Sequence, residues 1–101
     1  MAGSYVLSRR AEEDIGQLLA ASLAGFGERQ TDIYAAGMEQ TFDLLASHPE
    51  IGSTFVNERS GRAYRRHRYA SHMIYYRIRQ ADIFIVRLLH VRMLPERYLE
   101  P

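Results

Sequence analysis

The sequence predicts an α+β fold: an N-terminal strand, a two-helix hairpin, then a three-stranded antiparallel meander closed by a short C-terminal helical turn. Three observations lead there. Apolar residues recur at helical spacing between Ala11 and Leu45, the spacing switches to alternation from Ala63 onward, and Gly25, Gly27, Pro49, Gly52 and Pro95 punctuate the changes. A chain of 101 residues has room for one core, so residues 1–101 read as a single domain.

Met1 to Ser4 reads as an unstructured lead and Tyr5 to Leu7 as the first strand. Ser8 suits a helix N-cap, its hydroxyl accepting a backbone N–H near Arg10 or Ala11, and Glu12, Glu13 and Asp14 complement the positive end of the helix dipole as a solvated helix start. Ala11, Ile15, Leu18, Leu19, Ser22 and Phe26 share one stripe, so Arg9 to about Ala24 is an amphipathic helix ended by Gly25 and Gly27. Tyr34, Met38, Thr41, Phe42 and Leu45 define a second helix, Glu28 to about Ser47, folded back on the first. Gly37 within it costs about 1 kcal/mol relative to Ala and allows a close contact between helices. Pro49 and Gly52 end the helical region.

Ala63 to Tyr69, Ser71 to Arg79 and Asp82 to Val91 alternate and read as three strands joined by tight turns. In the middle strand His72, Ile74, Tyr76 and Ile78 point one way and Met73, Tyr75, Arg77 and Arg79 the other, as expected when one sheet face meets a core. The run Ile83 to Leu89 is apolar on both faces, which suits a central strand. Pro95 opens a final turn through Glu96, Arg97 and Tyr98.

Composition narrows the function. The absence of cysteine excludes disulfides, thiolate metal sites and cysteine nucleophiles and points to a reducing, cytoplasmic location. Apolar runs such as Ile83 to Val86 are far too short to span a bilayer, and no export signal opens the chain. The net charge of +1 hides two opposed halves: Met1 to Glu58 holds three Arg against nine acids, and Arg59 to Pro101 ten Arg against three. The basic half is a surface for an acidic partner. All 13 basic residues are Arg, which fits either genomic base composition or a use for planar guanidinium forks.

Four local motifs, in order, carry a resemblance to a known family. Val6-Leu7-Ser8-Arg9-Arg10-Ala11-Glu12-Glu13-Asp14-Ile15 resembles the opening strand and helix of the ParE/RelE toxins. His48-Pro49-Glu50-Ile51-Gly52 is similar to their P-x-x-G turn, His72-Met73-Ile74-Tyr75-Tyr76-Arg77 to their H-h-I-x-Y-R strand, and Val86-Arg87-Leu88-Leu89-His90 to the close of their last strand. The resemblance, strongest to the ParE branch, implies a plasmid-stabilising toxin neutralised by a ParD-like antitoxin whose C-terminal segment wraps the toxin's helices and sheet. It implies DNA gyrase as target in the ParE branch, and ribosome-bound mRNA in the RelE branch. It implies no cofactor and no metal.

Ribonuclease chemistry of the RelE type needs a base for a ribose 2′-hydroxyl and cations for the developing phosphorane. Arg65, Arg66, Arg68, Arg77, Arg79, His90, Arg92, Arg97 and Tyr98 are raw material, but the spacing of Arg92 and Tyr98 does not match the RelE tail and Lys is absent. His90 shares parity with Phe84, Val86 and Leu88, so it reads either as a base or as a strand-end ring at the core margin, the latter preferred. His48, His67 and His72 lack metal-ligand spacing. Tyr64-Arg65-Arg66-His67-Arg68-Tyr69 is the densest cationic and aromatic cluster, suited to an antitoxin, to a charged edge strand or to nucleic acid. The resulting assignment has no catalytic residue. Arg77, Arg79, Arg92, Arg97 and Tyr98 are candidates for the target, and Leu18, Phe26, Tyr64, Arg65, Arg66 and Arg68 for the antitoxin.

Overall fold

The computed structural model describes residues 3–100, so Met1 and Ala2 of the expected lead lie outside the described residues. Tyr5–Leu7 forms β1, Arg9–Ser47 the helix α1, Ser53–Val56 β2, Ala63–Tyr69 β3, His72–Ile78 β4 and Ile83–His90 β5, with single 3₁₀ turns at Pro49–Ile51 and Pro95–Arg97. The strands make one mixed sheet in the order β1-β5-β4-β3-β2.

Two expectations about the sheet are corrected. Beyond the expected antiparallel β3-β4-β5 meander, β2 pairs antiparallel with β3 (Phe55 opposite Tyr64) and β1 pairs parallel with β5 (Val6 opposite Phe84). Ala63 to Arg66 therefore lies inside the sheet, and only His67 to Tyr69 keeps a free flank. The lead is also shorter than expected, because the Ser4 carbonyl already accepts the Ile83 N–H at 3.0 Å. Past Leu7 the chain leaves the sheet, yet the ladder on β5 continues through Ser8 and Asp14. The Ser8 N–H donates to Ile85 O, its hydroxyl to Val86 O, and Asp14 Oδ2 accepts the Leu88 N–H.

The helical region keeps the expected break between two arms but narrows it to Gly27, with Gly25 still inside the first arm. Ser8 caps it as expected, its Oγ accepting the Ala11 N–H at 2.9 Å. The backbone is then helical to Ser47 except at Gly27, where φ is 86° and ψ 177° and the two helical arms meet at a kink. A straight helix of this length would reach about 58 Å, more than the longest dimension of the molecule, 39 Å. Gly27 bends the two arms toward each other, so that Thr31 Oγ1 donates to Ser22 Oγ at 2.9 Å across nine residues. Only glycine adopts that backbone conformation without strain. Gly37 faces the sheet instead of the other arm: a Cβ there would overlap the Tyr69 hydroxyl.

Both faces of the sheet are covered, not one. On the helix face Ala11, Met38, Phe42 and Leu45 pack on Ile74, Tyr76, Ile83, Ile85 and Leu88, and Tyr5 tilts against Phe42 with centroids 5.3 Å apart. On the far face Tyr64, Tyr75, Leu89 and Leu99 form a second cluster with Phe55, Met73, Val86 and Met93, roofed by the C-terminal tail. The clusters remain in register because of a bulge. Tyr75 faces Arg87 and Tyr76 faces Ile85, leaving Val86 unpaired, so parity flips and Leu88 joins Ile83 and Ile85 on the helix face. The P-x-x-G turn is bolted to the core by Tyr76, whose hydroxyl donates to Pro49 O at 2.5 Å and accepts the Gly52 N–H at 3.1 Å.

Candidate functional site

The bend at Gly27 and the β3–β4 turn enclose an open groove of about 460 Å³. Leu18, Ala21 and Phe26 come from the first arm of α1, Tyr34 from the second, and Ala70 to His72 from the turn. Phe26 stands 75% exposed at the bend, and Leu23 and Ile33 on the two arms are exposed as well. One wall is fixed by Tyr34 and Tyr69, whose rings lie 5.2 Å apart and whose Tyr69 hydroxyl donates to Tyr34 O. Burial raises the pKa of both phenols, which keeps them as neutral donors. A second cavity of about 270 Å³ shares Leu18, Ala21 and His72 with the first and runs on to Asp14, Arg87, His90 and Tyr98.

The remaining antitoxin candidates lie on β3 and divide between the faces. Tyr64 is buried in the far-face cluster and its hydroxyl donates to Glu100 at 3.0 Å. Arg65 is tied to the turn after α1, with Nη1 donating to Gly52 O at 2.6 Å. Arg66 lies 4.7 Å above the Phe55 ring, and exposed Arg68 donates from Nε to Ala70 O. Only Leu18 and Phe26 of the six line the groove.

The target candidates do not converge either. Arg77 and Arg79 sit where β4 ends, both over the Phe84 ring, and Arg79 grips Asp82 through Nε and Nη2 at 2.6 and 2.9 Å. The pairing holds the Asp82 carboxyl below its usual range. Arg77 Nε is buried without a hydrogen-bond partner. Both arginines thus have more structural duty than outward parity implied. Arg92 lies past the opposite end of β5, roughly 25 Å along the strand from Phe84 at ~3.4 Å per residue. Arg97 and Tyr98 belong to the tail that crosses the far face.

Sequence reasoning missed three features here. Asp14, read as part of a solvated helix start, is half-buried and paired with Arg87 across 73 residues. Glu100 anchors the tail, accepting from Asn57 Nδ2 at 3.0 Å, from Tyr64 and from the Ser60 hydroxyl, with Arg62 at 3.7 Å. Ser60 first, then Tyr64, Asn57 and Arg62, hold its carboxyl below the usual range. His72 is the third: its ring meets His90 edge-on at 5.3 Å, and its buried Nδ1 has no partner. His90 itself is a strand-end residue, with Nδ1 accepting the Arg92 N–H at 3.1 Å.

Comparison with known proteins decides the family. A family model described as the ParE toxin of the type II toxin-antitoxin system parDE matches residues 5–95. The chain belongs to the ParE toxin family of type II toxin–antitoxin systems. Toxin ParE1 of Caulobacter vibrioides is 36% identical over 89 residues, covering 88% of this chain and 90% of the relative. Toxin ParE1 of Mycobacterium tuberculosis is 30% identical over 100 residues, covering 98% and 100%. A chain of the chromosomal ParDE TA system from P. aeruginosa superposes with a TM-score of 0.71 over 90% of this chain and 98% of that one; at 16% identity this likeness speaks for the fold alone. The ParE match takes in the groove, the Asp14–Arg87 pair and the His72–His90 pair, and stops short of Arg97 to Glu100. No helix among the described residues is long and apolar enough to cross a membrane.

Proposed function

We propose that this ParE-type toxin acts in the cytoplasm by protein contact, with DNA gyrase as its target, and that a ParD-like antitoxin neutralises it by seating on the groove at Leu18 and Phe26. The observation that carries the first half is the commitment of His90. The strand-end imidazole that a RelE-type cleavage would use as base spends Nδ1 on the Arg92 N–H and its ring on His72. The arginines that would surround a phosphorane are scattered over two ends of the sheet, Arg77 and Arg79 at one and Arg92 at the other. Dispersed guanidinium groups suit a broad protein interface better than a transition-state cradle. The antitoxin half is supported by family membership, by the ParDE system to which the structural neighbour belongs, and by the exposed Phe26 that lines the groove.

The test is brief expression of the chain with DNA breaks and translation scored separately. DNA breaks with translation intact is the expected result; translation arrest without DNA damage would transfer the chain to the ribonuclease reading. For the antitoxin, saturating partner should raise thermal stability by RT ln(1 + [L]/Kd), about 4 kcal/mol at a thousandfold excess over Kd.

A further inference from the structure

The turn between β2 and β3 is folded around one side chain, Asn57, which is only 1% exposed. Its N–H donates to Arg62 O at 2.8 Å, its carbonyl accepts the Gly61 N–H at 2.7 Å and its Oδ1 accepts the Arg59 N–H at 3.1 Å, while Gly61 supplies a positive φ of 77°. These bonds lie within the turn itself and take nothing from the tail. They leave the Asn57 amide, the Ser60 hydroxyl and, from the adjoining strand, the Tyr64 hydroxyl aimed at one atom, Oε2 of Glu100, with the amide and the phenol each at 3.0 Å. The other carboxylate oxygen faces Arg62 Nε at 3.7 Å. Three donors on one oxygen and a guanidinium beside the other make a carboxylate receptor, and its ligand is the chain's own Glu100.

Three consecutive residues of the tail are fastened in three different ways. Arg87 Nη1 donates to Tyr98 O at 2.7 Å, Leu99 is buried in the cluster with Tyr64, Tyr75 and Leu89, and Glu100 fills the receptor. The side chains of Arg97 and Tyr98 stay exposed on this fixed backbone. An exposed pair on an ordered segment gives up less conformational freedom on binding than the same pair on a loose one. We infer that Glu100 is a positioning residue for target contact: the β2–β3 turn binds its carboxylate and thereby holds Arg97 and Tyr98 as a preformed epitope. The inference rests on the reading of Arg97 and Tyr98 as target contacts. None of Asn57, Ser60, Arg62, Tyr64 and Glu100 lines the groove at Leu18 and Phe26, so the receptor can be altered without touching the antitoxin seat.

The experiment compares the whole wild-type chain with Glu100→Ala, Glu100→Gln and the double variant Arg97→Ala/Tyr98→Ala. Three quantities are read: amide hydrogen exchange at Leu99, whose N–H donates to Pro95 O at 3.0 Å, growth arrest on brief expression, and affinity for the ParD-type antitoxin. Glu100→Ala should speed Leu99 exchange about tenfold or more and lower the potency of growth arrest about tenfold, toward the level of the double variant, with antitoxin affinity unchanged. Glu100→Gln keeps an oxygen for Asn57, Ser60 and Tyr64 and should restore most of both losses. Unaltered Leu99 exchange in Glu100→Ala refutes the receptor as the holder of the tail. Faster exchange with full toxicity refutes the positioning role where the double variant is less toxic, and refutes the target reading along with it where the double variant is fully toxic. Antitoxin affinity falling in step with toxicity marks a general loss of fold and overturns the inference as well. Should Glu100→Ala misfold, Ser60→Ala removes one donor at an exposed turn position and is judged by the same outcomes.

Discussion

The Asp14 carboxylate holds the Arg87 guanidinium with both oxygens, Nε at 2.8 Å and Nη2 at 3.0 Å, while Oδ2 also accepts the Leu88 N–H at 3.0 Å. Arg87 Nη1 then donates to Tyr98 O at 2.7 Å, so one ion pair joins the helix start, the last strand and the tail. The two side chains are only 14% and 13% exposed. Asp14→Ala strands a half-buried guanidinium and a strand N–H and should cost about 2–4 kcal/mol. Urea denaturation of Asp14→Ala, Arg87→Ala and the double variant checks this, and the double loss should fall well short of the sum.

Tyr76→Phe should cost about 1–3 kcal/mol, because it leaves the Gly52 N–H and Pro49 carbonyl unpaired against a residue with no exposed surface. Gly52→Ala should cost more, since its Cβ would overlap the Tyr76 hydroxyl and come within 3.0 Å of Arg66 O. Thermal melts of the two variants rank them.

Gly27→Ala should destabilise by about 1–3 kcal/mol through backbone strain alone, as open space surrounds the position where its Cβ would go. Gly25→Ala is the control. It lies in helical backbone with open space around it, so it should be neutral or gain up to about 1 kcal/mol. A fall in stability for the first and none for the second locates the bend at Gly27.

Acidification should weaken the fold between pH 7.5 and 5.5. The folded-state pKa of His72 lies below the ordinary 6.5, so as pH drops the unfolded chain takes up a proton that the folded chain refuses. Stability therefore falls with pH until the folded pKa is passed and then levels. His72→Asn removes this contribution, and its melting temperature should change less over the same range.

Alanine scanning of Arg77, Arg79, Arg92, Arg97 and Tyr98 should lower toxicity in graded steps, a few anchors costing about 1–2 kcal/mol and the others little. Arg79→Ala also breaks the Asp82 pair, so its folding must be followed alongside growth arrest. His90→Ala should lose about 0.5–3 kcal/mol of stability through its contacts with His72 and the Arg92 N–H. A stable His90→Ala that has lost ribosomal mRNA cleavage would mark it as a catalytic base.

Local signals in the sequence carried far. The cap at Ser8, the stripes through Leu18 and Phe42, the Pro49 to Gly52 turn and the alternation of β3 and β4 each depend on neighbours within a few residues. What escaped depends on distant ones. β2 is four residues with three of them exposed, too short for a period to register. The parallel pairing of β1 with β5 joins residues nearly eighty apart. Parity counting along β5 placed His90 and Leu88 with Phe84 and Val86, and the bulge at Val86 undid it. Leu99 and Glu100 lie beyond any periodic stretch, yet Leu99 joins the far-face cluster and Glu100 reaches partners 36 to 43 residues away. The groove was legible only as Leu18 and Phe26, because its opposite wall comes from the β3–β4 turn.

Ser8 and Asp14 finish with side chains what the three-residue β1 begins with backbone, so the flank of β5 is satisfied from Ile83 to Leu88. A neighbouring molecule seeking to add a strand on that side meets only the outer flank of three-residue β1, and pairing with β5 itself would first have to displace a helix start held by an ion pair. The opposite flank offers only β2 and the end of β3, short and interrupted, with Arg68 projecting beside it. Arg-rich and exposed in places, the sheet is thereby guarded against stacking at one side by chemistry and at the other by brevity.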